Sequence, residues 1–169
     1  LGLAARRVDK LEQLARQLED QYPIRVAVTE LDVQQDSQVA PAITRLAQDL
    51  GQIDIVVANA GITGVKRSGH GDISIDKAIF QTNVIGAIAT LDAATKIFLA
   101  QGHGHLVGMS SFSAFSPLPA SAAYSASKAA LSNYMNAMRL ELMNKNIKMT
   151  VIHPGFIKTD IAPHMDRYP

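Results

Sequence analysis

Five apolar, β-branched stretches alternate strictly with four helical patterns, and this alternation constrains the fold more than any other feature of the sequence. Within the stretches the apolar residues run on continuously instead of alternating with polar ones, which is typical of parallel strands covered on both faces. The order predicts an α/β fold, with a doubly wound, mostly parallel sheet in a three-layer α/β/α arrangement. The predicted strands are "LGLAARR", "IRVAVTELDV", "IDIVVANAG", "GHLVGMSS" and "IKMTVIHPG".

The segments between the strands carry the periodicity and end signals of helices. The first is amphipathic and ends before Pro23, with apolar residues at helical spacing: Val8, Leu11, Leu14 and Leu18. The second has Asp36 or Ser37 as its N-cap and Gly51 just past its end, and Pro41 leaves its start open. Residues 76–100 are apolar nearly all round, so we expect a helix buried against the sheet and against a partner subunit; residues 121–145 form the last predicted helix.

Composition excludes several classes of protein. With 47% hydrophobic residues, 18% charged residues and a net charge of +1, the chain is typical of a globular domain, not of a disordered or nucleic-acid-binding protein. No apolar run reaches the roughly 20 residues that span a bilayer, so no membrane span is expected. The absence of cysteine rules out disulfides, a Cys nucleophile and thiolate metal sites, and it fits the expected cytoplasmic location.

Small, hydrogen-bonding and glycine residues gather where the predicted strands end. In parallel sheets, ligands bind outside the carboxyl ends of the strands, so these residues predict a ligand site along one edge. The strand ends in question are Ala5-Arg6-Arg7, Asp32-Val33, Asn59-Ala60-Gly61, Ser110-Ser111 and Pro154-Gly155.

The stretch "YSASKAAL" places Tyr124 and Lys128 four residues apart, on one face of the last helix. A free tyrosine has a pKa near 10 and is a poor proton donor or acceptor at neutral pH. A nearby ammonium favours the phenolate, which makes a tyrosine usable as a general acid or base. Taken alone, the pair also fits a tyrosine packed under the stem of a lysine.

Taken in order along the chain, these residues resemble the short-chain dehydrogenase/reductase family. Its pattern has N-A-G after a strand, an Asn in the following helix, a Ser, then Y-x-x-x-K, and P-G followed by Thr. In this sequence the matching residues are Asn59-Ala60-Gly61, Asn83, Ser111, Tyr124, Lys128, Pro154-Gly155 and Thr159.

The resemblance implies hydride transfer between a nicotinamide cofactor and a small carbonyl or alcohol substrate. Tyr124 would give a proton to the carbonyl oxygen and Ser111 would hold that oxygen by a hydrogen bond. Lys128 would also bind the nicotinamide ribose, and Asn83 would anchor a water in a proton relay. Ser111 is preferred over Ser110 because the family's Ser stands thirteen positions before its Tyr.

The end of the first strand bears on the choice of cofactor. Family members that use NAD tend to carry an acidic residue where this chain has Ala5, which is followed by Arg6 and Arg7. Guanidinium groups suit phosphate, so NADP is predicted and NAD is less favoured. Asp32 and Val33 resemble the pair that contacts the adenine ring. The resemblance further implies that Asn59, Ala60, Gly61, Pro154 and Gly155 bind the cofactor, and that Ile157 and Thr159 hold the nicotinamide amide.

The family's glycine loop, T-G-x-x-x-G-x-G, has no counterpart in this chain. We therefore expect residues 1–169 to be a single, partial dinucleotide-binding domain that lacks its first strand, that loop and its carboxyl-terminal end. The family mostly forms dimers or tetramers through its long middle helices, which implies a homodimer or homotetramer.

The residues themselves leave other interpretations of function open. An α/β hydrolase would need G-x-S-x-G around Ser110, where "GMSSF" ends in Phe112. A non-catalytic dinucleotide-binding or scaffold protein would share the fold. His103 and His105 in "GHGH" suggest a metal site, but they have no third ligand at suitable spacing and fit a surface turn. His153 stands alone and is interpreted as a packing or surface residue.

Overall fold

The computed structural model describes residues 1–155 and 157, and its elements follow the predicted order. The strands are shorter than their apolar stretches, because pairing ends before the polar residues at each carboxyl end. The strands are β1 (Gly2–Ala5), β2 (Ala27–Glu30), β3 (Ile55–Ala58), β4 (Gly104–Met109) and β5 (Ile147–Ile152). The helices are α1 (Val8–Gln21), α2 (Asp36–Leu50), α3 (Ser74–Phe80), α4 (Ala87–Gln101) and α5 (Ala122–Glu141), with a π-helical segment (Gln81–Gly86) joining α3 to α4. Helix α2 begins at Asp36 and contains Pro41.

Every strand pairing is parallel, as the continuous apolar runs predicted. Strand β1 pairs with β2, and β4 lies between β3 and β5. Within the described residues β1 and β3 do not pair with each other, so a cleft separates the two groups of strands. The side of β3 that carries Ile55 and Val57 is open, and these side chains are 56% and 48% exposed.

The main core lies between the three-stranded group and helices α4 and α5. Phe98 and Leu91 of α4 and Leu131 and Met135 of α5 are buried there, together with Leu106 of β4. A second cluster joins α2 to α4, with Val39 and Ile43 packing against Ala93. Both helices α4 and α5 are thereby fixed against β4, whose carboxyl end carries the predicted serine.

Glycine lets β4 approach the helices this closely. A Cβ at Gly104 would lie 2.1 Å from the ring of Phe98, and one at Gly108 would lie 2.1 Å from the sulfur of Met135. Contacts that short do not occur between real side chains, so a substitution at either position would push a helix away from the strand.

The continuous helical segment Ser74–Gln101 is long and apolar enough, by length and composition alone, to cross a membrane. In the fold, however, 44% of its most apolar window is buried, and Ile79, Leu91 and Phe98 are among the most deeply buried side chains. This segment therefore has the packing of a core helix, and its apolar character is explained by the protein interior.

Candidate active site

Lys128 is a buried cation at the carboxyl edge of the sheet. Its residue is 4% exposed, and its Nζ donates a hydrogen bond of 2.7 Å to the carbonyl oxygen of Met109, at the end of β4. Burial lowers the pKa of Lys128 from its ordinary value of 10.5 to about 8. Within the described residues no carboxylate lies within ion-pair distance of Nζ. The ammonium is thus held by a neutral oxygen in a poorly solvated position.

Tyr124 lies one helical turn before Lys128, as their spacing predicted. The Nζ atom of Lys128 lies 5.7 Å from the centroid of the Tyr124 ring. Both residues lie in the first two turns of α5, where small residues allow the helix to pack closely against neighbouring segments. The structure therefore brings the Lys128 ammonium close to the Tyr124 ring.

Ser111 follows β4 and begins the short 3₁₀ turn Phe112–Ala114, against which α5 packs. Its Oγ accepts hydrogen bonds from the backbone N–H of Ser113 (3.2 Å) and from the Ser113 hydroxyl (2.9 Å). Because both of these contacts use lone pairs of Ser111, its own hydroxyl hydrogen is left to donate. Ser111 is therefore arranged as a hydrogen-bond donor at the sheet edge.

Ser110 points the other way and is buried, at 3% exposure. Its hydroxyl donates to the carbonyl oxygen of Lys128 at 2.9 Å, which occupies the proton that an attacking serine would have to release. Ser110 is thus part of the packing between β4 and α5, and this geometry disfavours the hydrolase interpretation.

Asn83 lies in the π-helical segment and is completely buried. Its Oδ1 accepts from the backbone N–H of Ile62 (2.8 Å), while its Nδ2 donates to the carbonyl of Ile62 (2.9 Å) and to the Ser127 hydroxyl (3.0 Å). These bonds occupy the side-chain amide and fix the loop after β3 to helix α5. Both amide hydrogens of Asn83 are thereby occupied, and its water-anchoring role stays a prediction from the resemblance.

The loop after β3 joins the buried lysine to the cleft between β1 and β3. A Cβ at Gly61 would lie 3.3 Å from Lys128 Nζ and 3.4 Å from Asn83 Oδ1, so glycine allows the loop to pass close to both. The cleft measures about 910 Å³ and extends along the whole length of the strands. Seven residues predicted to bind a cofactor line it: Arg6, Arg7, Asp32, Val33, Asn59, Ala60 and Gly61.

The remaining predicted residues lie after β5. Pro154, Gly155 and Ile157 follow that strand at the same sheet edge, outside the set that lines the cleft, and Thr159 lies outside the described residues. The backbone N–H of Phe112 donates to the carbonyl of Pro154 at 2.8 Å, which ties the turn after Ser111 to the segment after β5.

Three further polar residues make contacts at this edge that the sequence did not predict: Ser127, Ser132 and His153. Ser127 bonds both Asn83 and the carbonyl of Tyr124, and Ser132 bonds His153. The one available signal was the position of Ser132 four residues after Lys128, because residues four apart lie on one face of a helix.

The two histidines of "GHGH" do not share a site. His103 lies 3.4 Å from the carboxylate of Asp54, whereas His105 contacts the Thr150 hydroxyl at 2.9 Å. In the part of the chain that the structure describes, no three potential metal ligands of the His, Cys, Asp or Glu type come together.

The depressed pKa of Lys128 predicts a specific dependence of stability on pH. Below pH 8 the group is charged in the folded and unfolded states, so the full penalty of burial applies. Between pH 8 and 10.5 the unfolded chain binds more protons, so stability rises with pH. The quantity to follow is the free energy of unfolding of the cofactor-free, full-length protein minus that of its Lys128→Met variant. This difference should rise by on the order of 3 kcal/mol between pH 8 and pH 10.5. Denaturant titrations at a series of pH values measure this difference, and a flat difference would contradict the burial of a charged amine.

Comparison with known proteins gives one consistent family. A family model described as short chain dehydrogenase matches residues 1–167. A protein of Mycobacterium tuberculosis described as an uncharacterized oxidoreductase is 37% identical over 164 residues, covering 96% of this chain and 65% of the relative. The NADP-dependent 3-hydroxy acid dehydrogenase of Schizosaccharomyces pombe is 29% identical and covers 96% of this chain and 63% of its own length.

Solved structures agree with this comparison. The alcohol dehydrogenase of the archaeon Thermococcus sibiricus, complexed with 5-hydroxy-NADP, superposes with a TM-score of 0.87 at 26% identity. The superposition covers 94% of this chain and 66% of the archaeal one. This chain therefore spans slightly less than two thirds of the length of each of these three proteins.

Proposed function

Because this chain belongs to the short chain dehydrogenase family, we propose that its protein transfers a hydride between NADP(H) and a small carbonyl or alcohol substrate. The observation that carries the proposal is the buried ammonium of Lys128, one helical turn from the Tyr124 ring and bonded, among the described residues, to a neutral oxygen alone. Burying a charge without an ion-pair partner costs free energy. Residues whose pKa is perturbed in this way concentrate at functional sites.

Each residue at this edge has a chemical task in the proposed reaction. Tyr124 donates a proton to the carbonyl oxygen during reduction and accepts it back during oxidation. Lys128 stabilises the phenolate that forms when Tyr124 gives up its proton, since an ammonium in a poorly solvated site acts strongly on a nearby anion. Ser111 directs its free hydroxyl hydrogen at the same oxygen. A bound NADPH supplies the hydride, and the cleft residues hold this cofactor.

The choice of NADP follows from the cleft. Arg6 and Arg7 follow β1 directly and are exposed at the rim of the cleft. Ala5 has no carboxylate that could accept a hydrogen bond from a ribose hydroxyl or repel a phosphate. A guanidinium binds a phosphate through two parallel hydrogen bonds, so these two side chains favour the 2′-phosphate that distinguishes NADP from NAD.

Replacing Arg6 with Ala should therefore weaken NADPH binding by about tenfold or more and leave NADH binding within about twofold. Fluorescence titration of the full-length protein with each cofactor measures both affinities. Arg25→Ala, an exposed arginine just before β2 at the opposite end of the strands, is the matched control. Equal losses for NADPH and NADH would show that Arg6 does not read the 2′-phosphate.

We further propose that one more parallel strand, from a segment outside these 169 residues, fills the cleft between β1 and β3. Apolar side chains line the part of the cleft away from the cofactor residues, among them Leu46, Leu50 and Ile53. The exposed Ile55 and Val57 of β3 also mark a sheet region that is open in the described chain. An inserted strand would satisfy the backbone groups along both edges, which are costly to bury unpaired. This proposal keeps residues 1–169 as one partial domain.

The oligomeric assembly remains a prediction from the resemblance. Exposed apolar side chains on the middle helices, Phe80, Ile85 and Leu99, support a homodimer or homotetramer formed through these helices. The cytoplasmic location rests on the composition of the chain.

A further inference from the structure

A chain of hydrogen bonds runs beneath α5 from the segment after β5 to the backbone of Lys128. The Nε2 atom of His153 lies 3.0 Å from the Ser132 hydroxyl, which lies 2.8 Å from the Ser110 hydroxyl. Both serine hydroxyls lie 2.9 Å from the carbonyl oxygen of Lys128. Ser110 and Ser132 are buried, so water does not compete for these contacts.

The number of available protons indicates which group donates in each of these hydrogen bonds. It contains four close polar contacts, and the two serine hydroxyls supply one proton each. A third contact gains a proton when Nε2 of His153 carries a hydrogen and donates it to Ser132. Ser132 then donates to the carbonyl of Lys128, as Ser110 does, so that each donor has an acceptor. In low dielectric such a chain is cooperative, because each bond polarises the next.

The chain ends on Lys128, which is bonded both to the last residue of β4 and to the residue that follows it. Lys128 donates from Nζ to the carbonyl of Met109 and accepts at its own carbonyl from Ser110. The next residue of the strand end is Ser111. These two bonds hold the helical turn that bears Tyr124 and Lys128 next to the strand end that leads into Ser111.

His153 also reaches the active-site side of the sheet edge. Its ring packs on Phe115 with a centroid distance of 4.6 Å and a tilt of 41°. Phe115 directly follows the turn that Ser111 begins. His153 thus contacts the helix that bears Tyr124, through Ser132, and the end of the turn that Ser111 begins, through Phe115.

We propose that His153 is a positioning residue, which acts through Ser132 on the carbonyl of Lys128, where Ser110 also donates, and so holds Tyr124 and Lys128 in register with Ser111. The inference rests on the proposed oxidoreductase function. His153 does not touch the reacting atoms in this account. Its effect is to limit the motion of α5 relative to β4, and orientation of this kind contributes strongly to rate.

Two substitutions separate the hydrogen bond of His153 from its ring packing. His153→Phe keeps an aromatic ring against Phe115 and removes the nitrogen, whereas His153→Gln keeps a donor at similar reach and removes the ring. In the full-length protein, kcat per bound NADPH should fall about tenfold in His153→Phe and stay within about threefold of the parent in His153→Gln. The KM for NADPH should change less than twofold in both variants. Normalising to bound cofactor removes any loss of folded protein from the comparison.

Ser132→Ala tests whether the chain works as a unit. It should lower kcat by about the same factor as His153→Phe, and the double variant should be no worse than either single one. The inference is overturned if His153→Phe keeps kcat within twofold, if His153→Gln is equally impaired, or if the two losses multiply. An inactive parent that binds NADPH would instead overturn the proposed function, and this inference with it.

Discussion

Tyr124→Phe in the full-length protein should lower kcat by about 10³-fold while leaving the affinity for NADPH within about threefold. The substitution removes one oxygen and its proton, and general acid–base catalysis of this kind is worth roughly 10² to 10⁴ in rate. The phenyl ring keeps the packing of the half-buried tyrosine beside Lys128, so α5 should remain in place. Steady-state rates and cofactor titration measure the two effects separately.

Tyr134→Phe is the matched control, because Tyr134 lies on the same helix, against the main core, and has no place in the proposed reaction. It should retain kcat within about twofold. If Tyr124→Phe kept more than a tenth of the parent activity, another group would have to supply the proton, and the assignment of Tyr124 would be wrong.

Lys128→Met should lower kcat by about 10²-fold or more and weaken NADPH binding, without lowering stability at neutral pH. Methionine matches the length of the lysine stem and removes a charge whose burial costs free energy, since replacing a buried charge with an apolar side chain is often neutral or stabilising. What is lost is the ammonium beside the Tyr124 ring. The expected result is an enzyme that is folded, at least as stable as the parent, and nearly inactive.

Thermal unfolding and kinetics on the same preparations test this combination. Lys148→Met, on an exposed position of β5, is the control and should change neither property appreciably. A Lys128→Met protein that is both active and unstable would mean that Lys128 serves the fold and not the reaction.

The order of elements could be predicted because each strand is a short apolar run and each helix shows apolar residues at a spacing of three to four. Strand ends could not be placed accurately, since pairing stops where the partner strand stops. The stretch from Ile24 to Val33, for example, forms a strand only over Ala27–Glu30, where β1 runs beside it. Local sequence does not encode that limit.

The candidate site shows the same division. Tyr124 and Lys128 were predictable because helical geometry fixes their relation. The bonds of Asn83 to Ile62 and of Lys128 to Met109 involve backbone atoms. Because every residue has these atoms, no pattern of residue types predicts such bonds. His153 lies 21 residues from its partner Ser132, and only the packing of β5 against α5 brings the two together.

The most direct test of the account follows the hydride itself. NADPH carrying deuterium at both C4 positions of the nicotinamide would be incubated with the full-length protein and a panel of apolar ketones and aldehydes, and the products examined by mass spectrometry. We expect an alcohol with one deuterium on the carbinol carbon, formed by the parent protein and nearly absent with Tyr124→Phe. Tight binding of NADPH with no deuterium transferred to any carbonyl would contradict it, and would indicate a dinucleotide-binding protein without catalytic activity.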